Sequence, residues 1–270
     1  MSYPVYFVNA FTEEYYKGNT AAVVIMEEFE QDSSLQALAR EFGFSETAFV
    51  KRLGFGRYHL RWFTPETEVN LCGHATLATA KVLFTDIIPH DRLIIFQTRS
   101  GELLAKREKD VIHLDFPVDN PQKIETDNKM LKAISKANAV EVLYAAKTKN
   151  LVVVYQDAET VRSLKPDFSG LEQLQSEAIF GIAVTAQGEG IFDYICRYFA
   201  PWEGILEDPV TGSAQTCLAP YWCEKLLKLE LKGYQASERG GFFDIKLIDD
   251  RVQISGKSFI YLKGELKRGF

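Results

Sequence analysis

The sequence predicts an α+β protein of two similar halves, each a curved mixed sheet or barrel wrapped around one long apolar helix. Three observations carry this prediction. The chain has 270 residues, more than the roughly 150 residues of one compact domain. Short strand-like segments outnumber helical ones in both halves. One group of motifs occurs twice along the chain, in the same order.

The repeat begins with RWFTP at 61–65, which returns as RYFAP at 197–201. The triplet GHA at 73–75 follows the first copy, and GSA at 212–214 follows the second after three additional residues. Each triplet leads into a helical stretch. We therefore expect that one supersecondary unit has been duplicated.

A second matching element extends the repeat. The segment 100–116 resembles 239–255, since each has a glycine, a strand, a charged turn and another strand. The other segments with the pattern of strands are YPVYFVNAF, AAVVIM, TAFVKR, YHLRWF, RLIIFQT, LYAAKTKNLVVVY, GIAVTAQ and FDYICRYF.

The two helices that follow the triplets differ in regularity. The first, from Ala75 to Phe84, is apolar nearly all round, which predicts a helix enclosed by other structure. The second contains Pro220, which removes an intrahelical hydrogen bond, so we expect a kink or an interruption there.

A linker predicts the division of the chain. The segment 117–130 is rich in Pro, Asn and Asp. We assign 1–116 to the N-terminal half and 131–257 to the C-terminal half, with a last strand at about 258–270 that packs back on the first half.

Composition excludes several classes of function. The formal charge is −6, with 31 basic and 37 acidic residues and no basic block, so nucleic acid is not an expected partner. The longest apolar runs fall far short of the ~20 residues needed to cross a bilayer, and no membrane association is expected. Four cysteines without C-x-x-C spacing indicate a reducing, cytoplasmic setting. Four scattered histidines predict no metal site.

The triplets are candidate binding sites. The first N–H groups of a helix lack intrahelical partners and carry the positive end of its dipole, and glycine lets a ligand approach closely. We expect two such sites to face each other across a cleft between the halves and to bind a small carboxylate-bearing substrate. The alternative is that Asp208 and Ser213 only cap a helix, and that His74 is structural.

Glu46 is the candidate acid/base. It lies in GFSETAFV on a predicted strand, where apolar neighbours and Asp208 would raise its proton affinity towards the operating pH. The alternative is an exposed carboxylate at a strand end. The repeat offset brings Glu46 onto Ile182, so only one half carries this carboxylate, which favours a single-base mechanism.

The motifs NAFT, GNTAAVV, SETAFV, RWFTPETEVNLCGHATLATA, RYFAPW and EDPVTGSA, in this order, resemble those of the PhzF-like family of phenazine-biosynthesis isomerases. The resemblance runs from residue 8 to the C-terminal strands. It implies a diaminopimelate-epimerase-like fold of two pseudo-symmetric domains, a homodimer, and an isomerase that needs no cofactor.

The resemblance also implies roles for individual residues. It assigns the acid/base to Glu46 and catalytic roles to His74, Asp208 and Ser213. The backbone around the two triplets is the expected substrate-binding surface, which comprises Gly73, Ala75, Thr211, Gly212 and Ala214.

Cys72 leaves a second function open. A cysteine before the glycine is typical of the epimerase branch of the fold, in which two thiols work on opposite faces of an amino acid. The repeat puts Thr211 at the position of the second thiol, with Cys217 about a turn further on. Cys72 is therefore interpreted as a small buried hydrophobic residue. A third hypothesis is a non-catalytic binding module on the same fold.

Overall fold

Two units divide the chain in the computed structural model, which describes residues 2–174 and 178–267. The first unit comprises Met1–Asp115 and Ser255–Phe270, and the second comprises Phe116–Ile254. The segment predicted as a linker, 117–130, lies in the second unit. In the described part of the chain, no helix is long and apolar enough to cross a membrane.

The first unit is a mixed sheet with two helices. Its strands are β1 (Ser2–Ala10), β2 (Asn19–Met26), β3 (Glu46–Gly54), β4 (Arg57–Phe63), β5 (Glu68–Val69), β6 (Leu93–Thr98), β7 (Gly101–Glu108), β8 (Val111–Pro117) and, from the end of the chain, β17 (Ser258–Lys267). Its helices are α1 (Asp32–Phe42) and α2 (Gly73–Val82), and a π-helical turn at Leu83–Ile87 continues α2. Residues 268–270 of the expected last strand lie outside the described residues.

The second unit has more helices. Its strands are β9 (Gln122–Lys123), β10 (Glu141–Ala145), β11 (Asn150–Val154), β12 (Gly181–Gln187), β13 (Tyr194–Phe199), β14 (Glu230–Gln235), β15 (Gly241–Ile248) and β16 (Arg251–Gly256). Its helices are α3 (Asn128–Ile134), α4 (Ala158–Ser163), α5 (Phe168–Glu172) and α6 (Gln215–Leu226), with a short 3₁₀ turn at Pro201–Glu203.

The two units share one connectivity. In the first, β1–β2 pair antiparallel, β2–β3 parallel, β3–β4 antiparallel, β4–β6 parallel and β6–β7 antiparallel. In the second, β10–β11, β11–β12, β12–β13, β13–β14 and β14–β15 follow the same alternation. A helix, α2 or α6, connects the parallel pair after the repeated motif in each unit. The predicted α+β fold with a central helix in each half is thus confirmed.

The repeated arginine does the same work in both units. Arg61 stacks over Phe63, two residues further along β4, at 5.0 Å, and pairs with both carboxylate oxygens of Glu68 at 2.8 and 2.6 Å. Arg197 stacks over Phe199 at 5.1 Å and pairs in the same way with Glu207 at 2.7 and 2.8 Å. The guanidinium fork matches a carboxylate in this geometry. Each pair ties the strand to the segment that precedes the central helix.

The central helices are enclosed, as their composition predicts. Every residue of α2 except Lys81 is buried, and the helix packs on β1, β2, β3 and β17. On α1, buried Leu35, Leu38 and Ala39 pack in a cluster with strand residues such as Phe49. In the second unit, Gln215–Cys223 are buried along α6.

Pro220 does not interrupt α6, and a kink at this position stays a prediction. The helix runs through it from Gln215 to Leu226. Proline lacks the N–H that would bond to the Thr216 carbonyl one turn earlier. The backbone N–H of Asp119 donates to that carbonyl instead, at 3.1 Å. An outside donor thus satisfies the acceptor that proline leaves open.

Candidate active site

The first turn of α2 places three candidate residues, Cys72, Gly73 and His74, next to one another. The chain is extended at Cys72 (φ −144°, ψ 115°), and α2 begins at Gly73. The hydroxyl and the backbone N–H of Thr76 both donate to the Cys72 carbonyl, at 2.5 and 3.3 Å. Among the described residues, the N–H groups of Gly73 and His74 have no hydrogen-bond partner. The start of α2 therefore offers unused donors at the positive end of its dipole.

Glu46 lies beside His74. It is the first residue of β3, and its Oε2 is 3.1 Å from His74 Nε2. The Glu46 side chain is 14% exposed and the His74 side chain 3%, so the alternative of an exposed strand-end carboxylate does not hold. Within the described residues, Oε2 of Glu46 accepts no hydrogen bond with good geometry, although it is buried. The carboxylate is close to a charge partner and keeps a free lone pair.

Asn19 and Ser45 complete the surroundings of the imidazole. Asn19 Nδ2 is 3.1 Å from His74 Nδ1, and Ser45 Oγ is 3.3 Å from His74 Nε2. Ser45 Oγ also donates to Asn19 Oδ1 at 3.1 Å. Neither residue is a candidate from the sequence alone, although both stand in the motifs GNTAAVV and SETAFV. Their positions could have indicated a role, because each is a polar residue where a buried strand begins.

A glycine positions Asn19. Gly18 has φ +69°, and a Cβ there would lie 2.2 Å from the Ala10 carbonyl oxygen. Only glycine permits this conformation together with such a close approach of the backbone. The turn between β1 and β2 is fixed in this way, and it brings Asn19 to the imidazole.

The pKa of Glu46 differs from the sequence prediction. Burial is the largest influence and disfavours the carboxylate, but the charge of His74 and the polar contacts of His74, Ser45 and Cys72 outweigh it, so the Glu46 pKa is lowered. The prediction of a raised proton affinity was wrong because it considered the apolar neighbours without the histidine. A contribution from Asp208 stays a prediction.

His74 shifts in the opposite direction. Burial opposes its charged form, but Cys72 and Glu46 together raise the His74 pKa well above its ordinary value. The favoured state is a carboxylate on Glu46 and an imidazolium on His74. Such a pair holds a base and an acid next to each other.

Cys72 is the third member of this cluster. Its thiol is buried, and Sγ lies 3.6 Å from His74 Nδ1 and 4.0 Å from Nε2. Burial and then the charge of Glu46 raise the Cys72 pKa to about 11, so the thiol is protonated at neutral pH. One ligand atom from each of Glu46, Cys72 and His74 lies within 4.8 Å of the others, which makes this cluster a possible metal site.

The second unit brings Asp208 and Thr211 together before α6. Thr211 Oγ1 donates to Asp208 Oδ2 at 2.5 Å, and the Thr211 N–H donates to Gln235 Oε1 at 2.8 Å. Gln235 Nε2 donates in turn to the Asp208 carbonyl at 2.7 Å. Gln235 was missed by the sequence analysis, in which nothing distinguished it from other polar residues of strands. It holds the DPVTG loop in place from β14.

The second triplet forms a turn before the helix. Gly212, Ser213 and Ala214 precede α6, which begins at Gln215 and has no side-chain cap. The alternative that Asp208 or Ser213 caps the helix therefore does not hold. Ser213 is half-buried, and its hydroxyl has no hydrogen-bond partner within the described part of the chain. It is available to a ligand.

Strand register corrects the equivalent of Glu46 in the repeat. Thr47 pairs with Phe63, whereas Ile182 pairs with Phe199, so Glu46 corresponds to Gly181 and not to Ile182. The offset is one residue shorter here because the second copy has one residue more between this strand and the arginine. A Cβ at Gly181 would lie 2.1 Å from the Tyr198 hydroxyl, which donates to Asn150 at 2.8 Å. A tyrosine hydroxyl thus occupies the space where the first unit has a carboxylate.

Comparisons with known proteins agree over nearly the whole chain. The sequence profile of a family described as "Phenazine biosynthesis-like protein" matches residues 8–264. An uncharacterized isomerase of Pseudomonas aeruginosa is 44% identical over 266 residues, which cover 98% of this chain and 99% of that protein. A crystal structure of a phenazine biosynthesis protein of the PhzF family from Enterococcus faecalis superposes with a TM-score of 0.92 at 41% identity, covering 99% of this chain and 100% of that one.

A more distant structure shares the fold alone. A probable proline racemase from Agrobacterium radiobacter has a TM-score of 0.64 at 11% identity, over 99% of this chain and 93% of that one.

Proposed function

The chain belongs to the phenazine biosynthesis-like family and is an isomerase of that family, and we propose that it moves a proton on a small carboxylate-bearing substrate by general acid/base catalysis, without a cofactor. Glu46 is the acid/base in this proposal. The observation that carries it is the buried Glu46 Oε2, which lies 3.1 Å from His74 Nε2 and has no further hydrogen-bond partner among the described residues.

The chemistry follows from the state of this pair. As a carboxylate, Glu46 removes a proton from a substrate carbon, and the electron pair left behind is delocalised towards an electron-withdrawing group of the substrate. The neighbouring imidazolium of His74 offsets the charge while the carboxylate is free. Glu46 then returns the proton to another carbon, so substrate and product differ only in the position of one hydrogen. A positioned acid/base of this kind contributes about 10²- to 10⁴-fold in rate.

The start of α2 supplies the proposed binding site for the substrate carboxylate. The unused N–H groups of Gly73 and His74, with the helix dipole behind them, favour an anion. Ala75 belongs to the same turn. In the second unit we assign the backbone of Thr211, Gly212 and Ala214 and the free hydroxyl of Ser213 to the same task, and Asp208 to proton transfer or substrate orientation.

Two alternatives are outcomes of the same test. A two-thiol epimerase would depend on Cys72 and a second thiol. Cys217 is the nearest candidate in the repeat. Its thiol donates a hydrogen bond to the Ala214 carbonyl at 3.1 Å, and burial raises its pKa to about 12. A binding module would catalyse nothing.

Solvent deuterium exchange separates these functions. A panel of small carboxylic acids with acidic C–H bonds would be incubated in deuterated water with the wild type, Glu46→Gln and Cys72→Ala, and followed by NMR. We expect deuterium to enter the substrate with the wild type and Cys72→Ala, and the rate to fall about 10²-fold or more with Glu46→Gln. Exchange that survives in Glu46→Gln and disappears in Cys72→Ala would favour the epimerase. No exchange across the panel would favour the binding module.

The assembly and its location are also part of the proposal. We propose a homodimer in the cytoplasm, as the family resemblance implies. Light scattering coupled to size-exclusion chromatography tests the dimer, which is twice the 30.6 kDa chain.

A further inference from the structure

The cluster of Glu46, Cys72 and His74 has a property that proton transfer does not need. Its three side chains offer a carboxylate oxygen, a thiol sulfur and an imidazole nitrogen, all within 4.8 Å of one another. Glu46 and His74 alone would suffice for acid/base chemistry. The sulfur adds a ligand with a strong preference for soft and borderline metals.

We propose that Glu46, Cys72 and His74 form a binding site for a thiophilic divalent cation of the Zn²⁺ or Cd²⁺ type, and that this cation blocks proton transfer when it binds. The metal is an inhibitor in this proposal and has no role in the reaction. The inhibition rests on the proposed function, whereas the binding does not.

Distances between the ligand atoms support the site. Tetrahedral bonds of about 2.3 Å to sulfur and about 2.0 Å to nitrogen and oxygen hold the ligand atoms about 3.3 to 3.6 Å apart. In the structure, His74 Nε2 lies 3.1 Å from Glu46 Oε2 and 4.0 Å from Cys72 Sγ. Shifts of about half an ångström or less bring Nε2 to these separations, and the sulfur and the carboxylate oxygen, which lie within 4.8 Å of each other, must approach by at most about 1.2 Å. Nε2 is the metal-binding nitrogen because it faces the carboxylate.

The surroundings also suit a metal ion. Asn19 lies 3.1 Å from Nδ1, and with its amide turned over it accepts a hydrogen bond from Nδ1–H, as the second ring nitrogen of a metal-bound histidine requires. Glu46 Oε2 gives up its ion pair with His74, because the metal takes the place of the proton on Nε2. Regular secondary structure fixes the backbone of all three ligand residues, since Cys72 and His74 belong to the first turn of α2 and Glu46 is the first residue of β3.

Charge balance favours this cation over others. Metal binding displaces the proton of the Cys72 thiol and one proton of the His74 imidazolium, and both pass to the solvent. The resulting thiolate and the Glu46 carboxylate carry two negative charges, which one divalent cation neutralises, so the buried site remains uncharged as a whole. A hard cation such as Mg²⁺ requires near-octahedral oxygen ligands, which this cluster does not provide. The bound metal occupies the lone pair with which Glu46 would take up a proton, and inhibition follows from this competition.

Cadmium titration tests the binding directly, because a cadmium–thiolate bond adds an ultraviolet charge-transfer band. The full chain would be titrated with CdCl₂ alone, as wild type, Cys72→Ala and Cys223→Ala. Cys223 is a matched control, since its pKa is also raised to about 11 and it lies in the second unit. We expect a band that saturates at one equivalent in the wild type and Cys223→Ala and is lost in Cys72→Ala. Thermal unfolding of the metal-free variants verifies that they are folded.

Zinc competition tests Glu46 as a metal ligand and measures the effect of the bound metal on catalysis. We expect ZnCl₂ to displace cadmium, and Glu46→Gln to weaken zinc binding by about tenfold or more. Zinc should inhibit deuterium exchange by the wild type and spare Cys72→Ala. A band that persists in Cys72→Ala, or no band at any cadmium concentration that leaves the protein folded, overturns the proposal. A band without exchange of any substrate would leave the metal site standing and contradict the proposed function, whereas exchange without a band would do the reverse.

Discussion

Glu46 Oε2 lies 3.1 Å from His74 Nε2, and this contact between the first residue of β3 and the first turn of α2 sets the charge of both side chains. The Glu46 pKa is lowered and the His74 pKa is raised, and burial opposes both shifts. The pair therefore adds to folding stability only while both members are charged.

The first prediction is a stability profile with a maximum in the weakly acidic range. A lowered Glu46 pKa contributes stability above the unfolded value of about 4.3, which is lost as the pH falls through the folded pKa. A raised His74 pKa contributes stability below the unfolded value of about 6.5, which is lost as the pH rises through the folded pKa. Urea unfolding of the wild type between pH 3 and pH 9 measures this profile.

A double-mutant cycle isolates the pair. Glu46→Gln, His74→Gln and the double variant should show a coupling energy that is largest between about pH 4.3 and about pH 6.5. A coupling energy that does not change with pH would mean that the two groups are not an ion pair.

The second prediction concerns the pH dependence of catalysis. His74→Gln removes the charge that lowers the Glu46 pKa, and burial is then less opposed, so the Glu46 pKa should rise. The acid limb of the deuterium-exchange rate should move to higher pH. His59→Gln is the control, because His59 lies on β4 and contacts no member of the cluster. An acid limb at the same pH in both variants would show that Glu46 does not titrate in catalysis.

These predictions rely on a feature that the sequence could not supply. Glu46 and His74 are separated by 28 positions, and only the folded β3 and α2 bring them to 3.1 Å. The sequence identified both residues through motifs, but it gave the wrong sign for the Glu46 pKa. A pKa depends on distance and burial, which a local pattern does not contain.

The fold was more predictable because its signals are local. The repeated strands, the apolar α2 and the two glycine–strand–turn–strand elements follow from alternation and composition. Helix α1 was missed, although Leu35, Leu38, Ala39 and Phe42 have helical spacing, and Gly43 ends it at φ 66°. The segment LYAAKTKNLVVVY forms two strands, β10 and β11, with a turn between them. The bond from Asp119 to the Thr216 carbonyl, which lets α6 continue through Pro220, joins distant segments and has no signature in the sequence.

The third prediction tests the corrected alignment of the repeat. Gly181→Ala would place a Cβ 2.1 Å from the Tyr198 hydroxyl, so it should destabilise the protein by about 1 to 3 kcal/mol. Tyr198→Phe removes the oxygen but keeps the ring carbons Cζ and Cε1, which would lie 2.4 and 2.9 Å from that Cβ, so it relieves only part of the clash. We expect Gly181→Ala to cost less in the Tyr198→Phe background than in the wild type, as measured by urea unfolding. Equal costs in the two backgrounds would show that the hydroxyl is not what excludes a side chain at this position.

The last prediction compares two arginines that lie in the same region of the second unit. Arg197 is 11% exposed, pairs with Glu207 and donates to the Leu164 carbonyl at 2.8 Å. Arg197→Ala leaves the Glu207 carboxylate, which is 25% exposed, and the Leu164 carbonyl without their donor, and should lower the free energy of unfolding by about 1 to 3 kcal/mol. Arg162 on α4 is 38% exposed and pairs with Glu189 at 3.0 Å, so Arg162→Ala should cost only about 0 to 1 kcal/mol.

Arg197→Lys refines the comparison, because lysine keeps the charge but cannot match the carboxylate with two parallel hydrogen bonds or stack flat on Phe199. It should recover only part of the loss, and urea unfolding measures the fraction. Full recovery would mean that charge alone matters, and that the shared geometry of Arg61 and Arg197 is not what fixes the segment before each central helix. Partial recovery would explain why both copies of the repeat carry arginine at this position and why each has a phenylalanine two residues later.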